Sequence, residues 1–357
     1  MGQNASLMRN CVNRNQNHSE YDPIQRKKND QGNHECEVLG RGPEAAEVAN
    51  LWDNCTKNPG HTKFIPVSEF CVDHLPECCR NISLLQYIQT ICDLTVRLRV
   101  TYTSCGRPKN YPFSKYGGSD IQHTGSGWVY DIKLGAGSCP CPGCSRSTSP
   151  SPIWYKVYIR TACHVVYDAE ESRKTMVDFF YDDENSRALG KMKTFWGKGV
   201  AAENDDSDSC IFFFATHDQT LADQLLLRRK QLIENQVLEH LDHSRLHPFH
   251  CFIVSHPHGQ TKKISVGRVS LKENEMYTSP TRIDYITATC TGSSGAPVLI
   301  CTIIDSFQMR WIAAPHSQWR KEMAINQSAI SPALLSYTNS PLSQIYFGLR
   351  ETYADRD

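Results

Sequence analysis

Two sets of short strand-like segments, parted by one helix-like stretch, constrain this chain more than any other feature. The run Leu94-Thr95-Val96-Arg97-Leu98-Arg99-Val100-Thr101-Tyr102 alternates apolar and polar side chains, the period of a half-buried strand. Similar runs follow near 126–133, 154–163, 174–182, 190–200 and 209–216, about six in all and enough for one small barrel. Over 218–244 the period changes: Leu221, Leu225, Leu232, Val237, Leu238 and Leu241 lie among charges at helical spacing, and Pro248 ends the stretch. Strands resume near 250–256, 263–271, 281–289, 296–304, 310–316 and 324–330, a second set of about six.

Residues 1–45 are rich in Asn, Gln, Asp, Lys and Glu with few large apolar side chains, so a disordered tail with no catalytic part is expected there. Over 46–91 the apolar spacing turns helical, with Leu84, Leu85, Ile88, Ile91 and Leu94 near period 3.6, and predicts a helical lead-in. Residues 336–357 are read as a C-terminal tail.

The 38 Lys and Arg residues balance 38 Asp and Glu, so the chain lacks the basic excess of a nucleic-acid-binding surface. The run Arg228-Arg229-Lys230 reads as a solvated helix face. No apolar stretch reaches the roughly 18 residues of a membrane span, and the start lacks the apolar core of a secretory signal, so a cytoplasmic protein is expected. The start Met1-Gly2-Gln3-Asn4-Ala5-Ser6 fits the N-myristoylation pattern at Gly2, and one acyl chain would give weak membrane association.

The chemistry concentrates in Thr291-Gly292-Ser293-Ser294-Gly295-Ala296-Pro297. A Gly two residues before Ser294 lets two backbone N–H groups point at one spot, and a Gly after it clears room for a substrate carbonyl. Upstream, in a consistent order, stand Thr161-Ala162-Cys163-His164-Val165 and Asp208-Ser209-Cys210-Ile211-Phe212. A serine hydroxyl needs a base to take its proton, imidazole suits that task near neutral pH, and a carboxylate fixes the imidazole.

Those segments resemble the chymotrypsin-like (trypsin-fold) serine peptidases, in their non-secreted branch, over roughly 92–335. Gly125-Ser126-Gly127-Trp128-Val129 is similar to the strand opening before the family's catalytic His. His256-Pro257-His258-Gly259 with Ser265-Val266-Gly267 is similar to the hairpin before the nucleophile. The resemblance implies an all-β fold of two six-stranded antiparallel β-barrels: the first over 92–217, a helical linker over 218–247, the second over 248–335. It also implies a serine endopeptidase acting on polypeptides, with His164 as general base and acid, Asp208 as orienting carboxylate and Ser294 as nucleophile. Asp205 and Asp206 lie close by; Asp208 is preferred because Ile211, Phe212 and Phe213 follow it. The N–H groups of Gly292 and Ser294 would form the oxyanion hole.

By the same resemblance, Ser293 stands where zymogen-activated relatives carry an Asp, which leaves a constitutively formed enzyme or one controlled by its N-terminal extension. Ala288 stands six before the nucleophile, where Arg/Lys-cutting relatives are acidic, and an apolar floor disfavours a buried cation. Thr289 and the run Pro315-His316-Ser317 resemble the pocket of Glu- and Gln-specific relatives, so His316 with Thr289 would hold a carboxylate or carboxamide.

The 16 cysteines lack the family's secreted disulfide positions; Cys163, Cys210, Cys251, Cys290 and Cys301 read as small buried hydrophobes in a reducing compartment. No cofactor is expected beyond a candidate structural zinc on Cys139, Cys141 and Cys144, with Cys105 or His123 as a fourth ligand. The histidines His240, His243, His247, His250, His256 and His258 are read as structural. The chief alternative is a catalytically inactive peptidase-like binding or scaffolding protein.

Overall fold

The computed structural model describes residues 33–35, 37–40, 51–204, 208–234, 250–270, 282–305, 308–320 and 325–329. In chain order the first half carries β1 (Asn33–His34), β2 (Glu37–Gly40), β3 (Ile65–Pro66), α1 (Ile82–Leu94), β4 (Thr95–Val100), β5 (Gln122–Leu134), β6 (Tyr155–Thr161), β7 (Thr175–Phe179), β8 (Lys193–Asn204) and β9 (Ser209–Thr216). After α2 (Gln219–Glu234) come β10 (His250–Ser255), β11 (Lys263–Arg268), β12 (Arg282–Tyr285), β13 (Pro297–Asp305), β14 (Gln308–Arg320) and β15 (Ile325–Ala329).

The order β5-β4-β7-β8-β9-β6, with β6 returning to β5, closes a six-stranded barrel. Closure removes the strand edges that would otherwise template aggregation. The other half forms an antiparallel sheet in the order β12-β15-β14-β13-β10-β11-β3. Among the described residues this sheet is not joined into a second barrel by paired strands, and β11 and β12 meet through the isolated bridge Val269 to Tyr285. Residues 271–281 between them lie outside the described residues.

The alternation in β4 explains its place. Val96, Leu98 and Val100 enter the main apolar core, while Arg97 and Arg99 point the other way. That second face is buried too, unlike the solvated face expected, because Asp178 on β7 meets both guanidinium groups. Arg97 Nε lies 2.9 Å and Arg99 Nε 2.7 Å from Asp178 Oδ2. Burial opposes the Asp178 charge, yet the two arginines outweigh it and hold its carboxyl down at about 2. Arg97 also donates to the Gly259 carbonyl at 2.9 Å, tying the barrel to the second sheet.

One core runs through both halves. Leu84, Ile88 and Ile91 of α1 share it with Val157, Phe179, Phe212 and Phe214 of the barrel, Leu221 and Leu225 of α2, and Phe252, Val254 and Leu299 of the second sheet. Each such burial contributes about 1.5–3 kcal/mol. Asn81 starts α1 by accepting from the Leu84 N–H at 2.7 Å, a side-chain N-cap. Of the run expected on a solvated helix face, Lys230 is exposed and Arg228 pairs with Asp93 at 2.6 Å while still partly exposed, whereas Arg229 turns inward and donates to the Tyr130 carbonyl at 2.8 Å. Val237, Leu238 and Leu241 lie outside the described residues.

Part of the expected structureless tail is in strands. β1 pairs with β14 and β2 with β5, because distant strands supply the hydrogen-bond partners that the polar local composition does not promote. Among the described residues, no helix is long and apolar enough to cross a membrane. Gly2 lies outside them.

Candidate active site

His164 and Asp208 come from two neighbouring strands. His164 follows the end of β6, and Asp208 immediately precedes β9, its strand neighbour. His164 Nδ1 lies 2.6 Å from Asp208 Oδ2, and the His164 backbone N–H donates to Asp208 Oδ1 at 3.1 Å. Ser317, on β14, donates its hydroxyl to the same Oδ2 at 2.6 Å. Asp208 holds a left-handed backbone, φ +44°, which costs a side-chain-bearing residue about 1–2 kcal/mol. Such strain tends to gather where function fixes geometry. The His164 backbone is braced from behind: Arg107 donates to its carbonyl at 3.1 Å while gripping Glu171 with a bidentate pair at 2.6 and 2.7 Å.

The Gly292–Gly295 turn meets that wall of the barrel. Ser294 accepts at its carbonyl from the Ser126 N–H at 2.8 Å, and the Gly292 carbonyl accepts from Ser126 Oγ at 2.8 Å. Gly292 has φ +90°, and a Cβ there would stand 2.6 Å from the His256 carbonyl oxygen. Gly295 has φ +81°, and its Cβ would stand 2.1 Å from Thr161 Oγ1 and 3.0 Å from the Ala162 nitrogen. Only glycine lets the Gly292–Gly295 turn press so closely on the segment leading to His164. Ser294 Oγ is buried and has no hydrogen-bond partner among the described residues. Ser293 is buried as well, its hydroxyl 3.2 Å from Ser255 Oγ and accepting from the Cys290 N–H at 3.2 Å.

The Gly292 and Ser294 N–H groups converge on one oxygen, the backbone carbonyl of Glu35, at 2.7 and 3.3 Å. The Glu35 side chain runs on to His316, whose Nε2 lies 2.6 Å from Glu35 Oε2. Tyr285 Oη lies 2.5 Å from His316 Nδ1 and 3.0 Å from Ser328 Oγ. A Tyr285 hydroxyl donating to Nδ1 puts the imidazole proton on Nε2, where it faces the carboxylate. Lys57 pairs with Glu35 and also reaches Thr289 Oγ1 at 2.8 Å and Asn326 Oδ1 at 3.0 Å. Burial opposes the Glu35 charge, but Lys57 and His316 overcome it and hold the carboxyl at about 2. Burial also lowers His316, in keeping with a neutral imidazole.

Thr289 Oγ1 meets Lys57 Nζ and Asn326 Oδ1, each at 2.8 Å. Ala288, expected as a pocket floor, packs with Phe64 and Cys290 in a separate apolar cluster. Lys57, Tyr285 and Glu35 escaped the sequence reading: each lies outside any motif, and Glu35 falls in a stretch whose composition reads as tail.

The cysteine loop does gather ligand-type atoms, with a different fourth member. Cys139, Cys141, Cys144 and His217 bring their donor atoms within 4.8 Å of one another. His217 Nε2 lies 2.8, 3.6 and 3.4 Å from the three sulfurs in that order. Neither proposed fourth ligand takes part: Cys105 is disulfide-bonded, and His123 Nε2 lies 2.9 Å from the Val165 carbonyl. Cys163, Cys210, Cys251 and Cys290 are buried thiols. The Cys301 side chain lies outside the described residues.

No protein-family model and no curated protein matches the chain. Among solved structures it is similar to the inactive form of the Rv3671c protease, at 12% identity and a TM-score of 0.31, covering 70% of this chain and 91% of that one.

Proposed function

We propose that the chain is a serine endopeptidase that hydrolyses peptide bonds by acyl transfer to Ser294. The observation that carries this reading is the convergence of the Gly292 and Ser294 N–H groups on a single peptide carbonyl oxygen. Two donors aimed at one point stabilise the charge that develops on a tetrahedral intermediate, each worth about 3 kcal/mol. His164 takes the Ser294 proton at Nε2 and returns it to the leaving amine, while Asp208 at Nδ1 fixes the tautomer and stabilises the imidazolium. The residue before the cut is Glu or Gln, held by the His316 Nε2–H.

A peptide library incubated with the full-length chain tests this. Cleavage after Glu or Gln, lost in Ser294→Ala and His164→Ala, is the expected result. A chain that cuts nothing is the inactive binding module, and one that cuts only after other residues overturns the pocket assignment.

The same reading places a structural zinc on Cys139, Cys141, Cys144 and His217. Three thiolates and one imidazole are a common closed zinc set. Twelve free thiols among the described residues, beside the one disulfide-bonded Cys105, favour a reducing compartment such as the cytoplasm. Acylation at Gly2 would add weak membrane association.

A further inference from the structure

We infer that the bond after Glu35 is this enzyme's own substrate, cut in cis, and that Lys57 makes the pocket select glutamate over glutamine. This rests on the peptidase reading above and names the substrate class of that site. Three independent contacts place Glu35 as the residue before a scissile bond. Its carbonyl oxygen sits on the two N–H donors beside Ser294. Its side chain enters the His316 pocket, buried to 4% exposure. The two residues before it pair antiparallel with β14, Asn33 with Trp319 and His34 with Gln318, just beyond His316 and Ser317. An extended peptide adding main-chain hydrogen bonds to a strand while its side chain fills a pocket is a general mode of peptide recognition.

Lys57 supplies the discrimination. A carboxamide oxygen can also accept from the His316 N–H, though less strongly than a carboxylate, and it offers no charge to a largely buried ammonium. Only glutamate neutralises Lys57. Cleavage balances without any further reagent than water. Ser294 Oγ adds to the Glu35 carbonyl carbon as its proton passes to His164 Nε2. The C–N bond to residue 36 breaks, and the departing nitrogen takes that proton. Water then hydrolyses the ester, restoring the Ser294 hydroxyl and leaving a carboxylate on Glu35.

Intact mass under reducing conditions and N-terminal sequencing of the freshly made full-length chain test the inference, with fluorophosphonate labelling run in parallel. The wild type is expected to give a fragment starting at residue 36, at a rate unchanged by tenfold dilution. Ser294→Ala stays whole, Glu35→Gln slows the cut at least tenfold, and Glu35→Ala blocks it while labelling of Ser294 rises. A wild-type chain that takes the label yet stays whole overturns self-cleavage and leaves the peptidase reading standing. A wild-type chain that stays whole, with a Glu35→Ala chain that takes no label, overturns both, and a rate that rises with concentration overturns the cis assignment.

A separate observation points to a second metal site. The structure assigns Cys55, His61, His258 and Cys290 to a zinc ion that clamps the lead-in to the nucleophile turn. Their donor atoms lie within 4.8 Å of one another, and His61, His258 and Cys290 are buried. Cys55 Sγ stands 3.6 Å from Cys290 Sγ, which stands 3.5 Å from His61 Nε2. Tetrahedral zinc, with bonds of about 2.3 Å to sulfur and 2.0 Å to nitrogen, sets those edges at about 3.8 and 3.5 Å. His258, read from sequence as merely structural, joins because its backbone N–H reaches the Thr291 carbonyl at 2.5 Å, beside Gly292. Metal analysis of the purified full-length chain is expected to find about two zinc ions, falling by about one in Cys55→Ser and, separately, in His217→Ala. An unchanged zinc content in both Cys55→Ser and His61→Ala overturns the site.

Discussion

The Ser317 hydroxyl donates to Asp208 Oδ2 at 2.6 Å, the same oxygen that faces His164 Nδ1, so a residue of the second sheet steadies a pair built in the barrel. Removing that hydroxyl leaves the carboxylate short of one donor and looser against the imidazole. Ser317→Ala is expected to lower kcat about tenfold with little change in KM, because the contact acts on the base and not on bound substrate. Steady-state kinetics on a peptide cut after Glu checks this.

Gly295 decides whether the turn can meet the barrel at all. A methyl group there would strike Thr161 Oγ1 at 2.1 Å and the Ser126 carbonyl oxygen at 2.3 Å, in a backbone conformation that side chains rarely adopt. Gly295→Ala is expected to cost about 3 kcal/mol and to abolish activity. Urea unfolding monitored by tryptophan fluorescence measures the first and peptide cleavage the second.

Acid should weaken the chain through Asp178. Its carboxyl is held at about 2 when folded, against 3.8 as the ordinary value, so the ionised form binds its arginines. A depressed carboxylate adds stability above its unfolded value, and that contribution fades as pH falls from about 4 towards 2. The size is about 2 kcal/mol. Urea midpoints should drop across that window in the wild type and change less in Asp178→Asn, which at neutral pH should itself be destabilised by about 3 kcal/mol through two buried guanidinium groups left without their carboxylate.

Tyr285 tunes the pocket through His316. With the hydroxyl gone, the carboxylate alone favours the proton on Nε2, and a ring that donates from Nδ1 instead turns a lone pair towards the substrate carboxylate. Tyr285→Phe is expected to raise KM for Glu substrates about tenfold or more, a loss near 1.5 kcal/mol, while kcat changes less. A comparison of Glu and Gln peptides gives the readout.

Much of this was legible in the sequence because it rests on local rules. The alternation in 94–102 gives β4, the helical spacing of Leu84, Ile88 and Ile91 gives α1, and the two glycines around Ser294 mark a turn that tolerates no Cβ. What could not be read was set by distant chain. Arg97 and Arg99 look like a solvated face until Asp178 arrives from another strand, and Arg229 looks solvated until Tyr130 accepts from it. Glu35 carries no local signal, since its role comes from the donors that converge on its carbonyl. His217 likewise joins the cysteine loop only because β9 ends beside it.

The most direct test of the central claim is covalent labelling of the full-length chain with a fluorophosphonate, followed by peptide mapping of the adduct. The account predicts one modified residue, Ser294, with labelling abolished in Ser294→Ala and cut about 10⁴-fold in rate by Asp208→Asn. Label that persists in Ser294→Ala, or a Glu35→Ala chain that takes none, would contradict it.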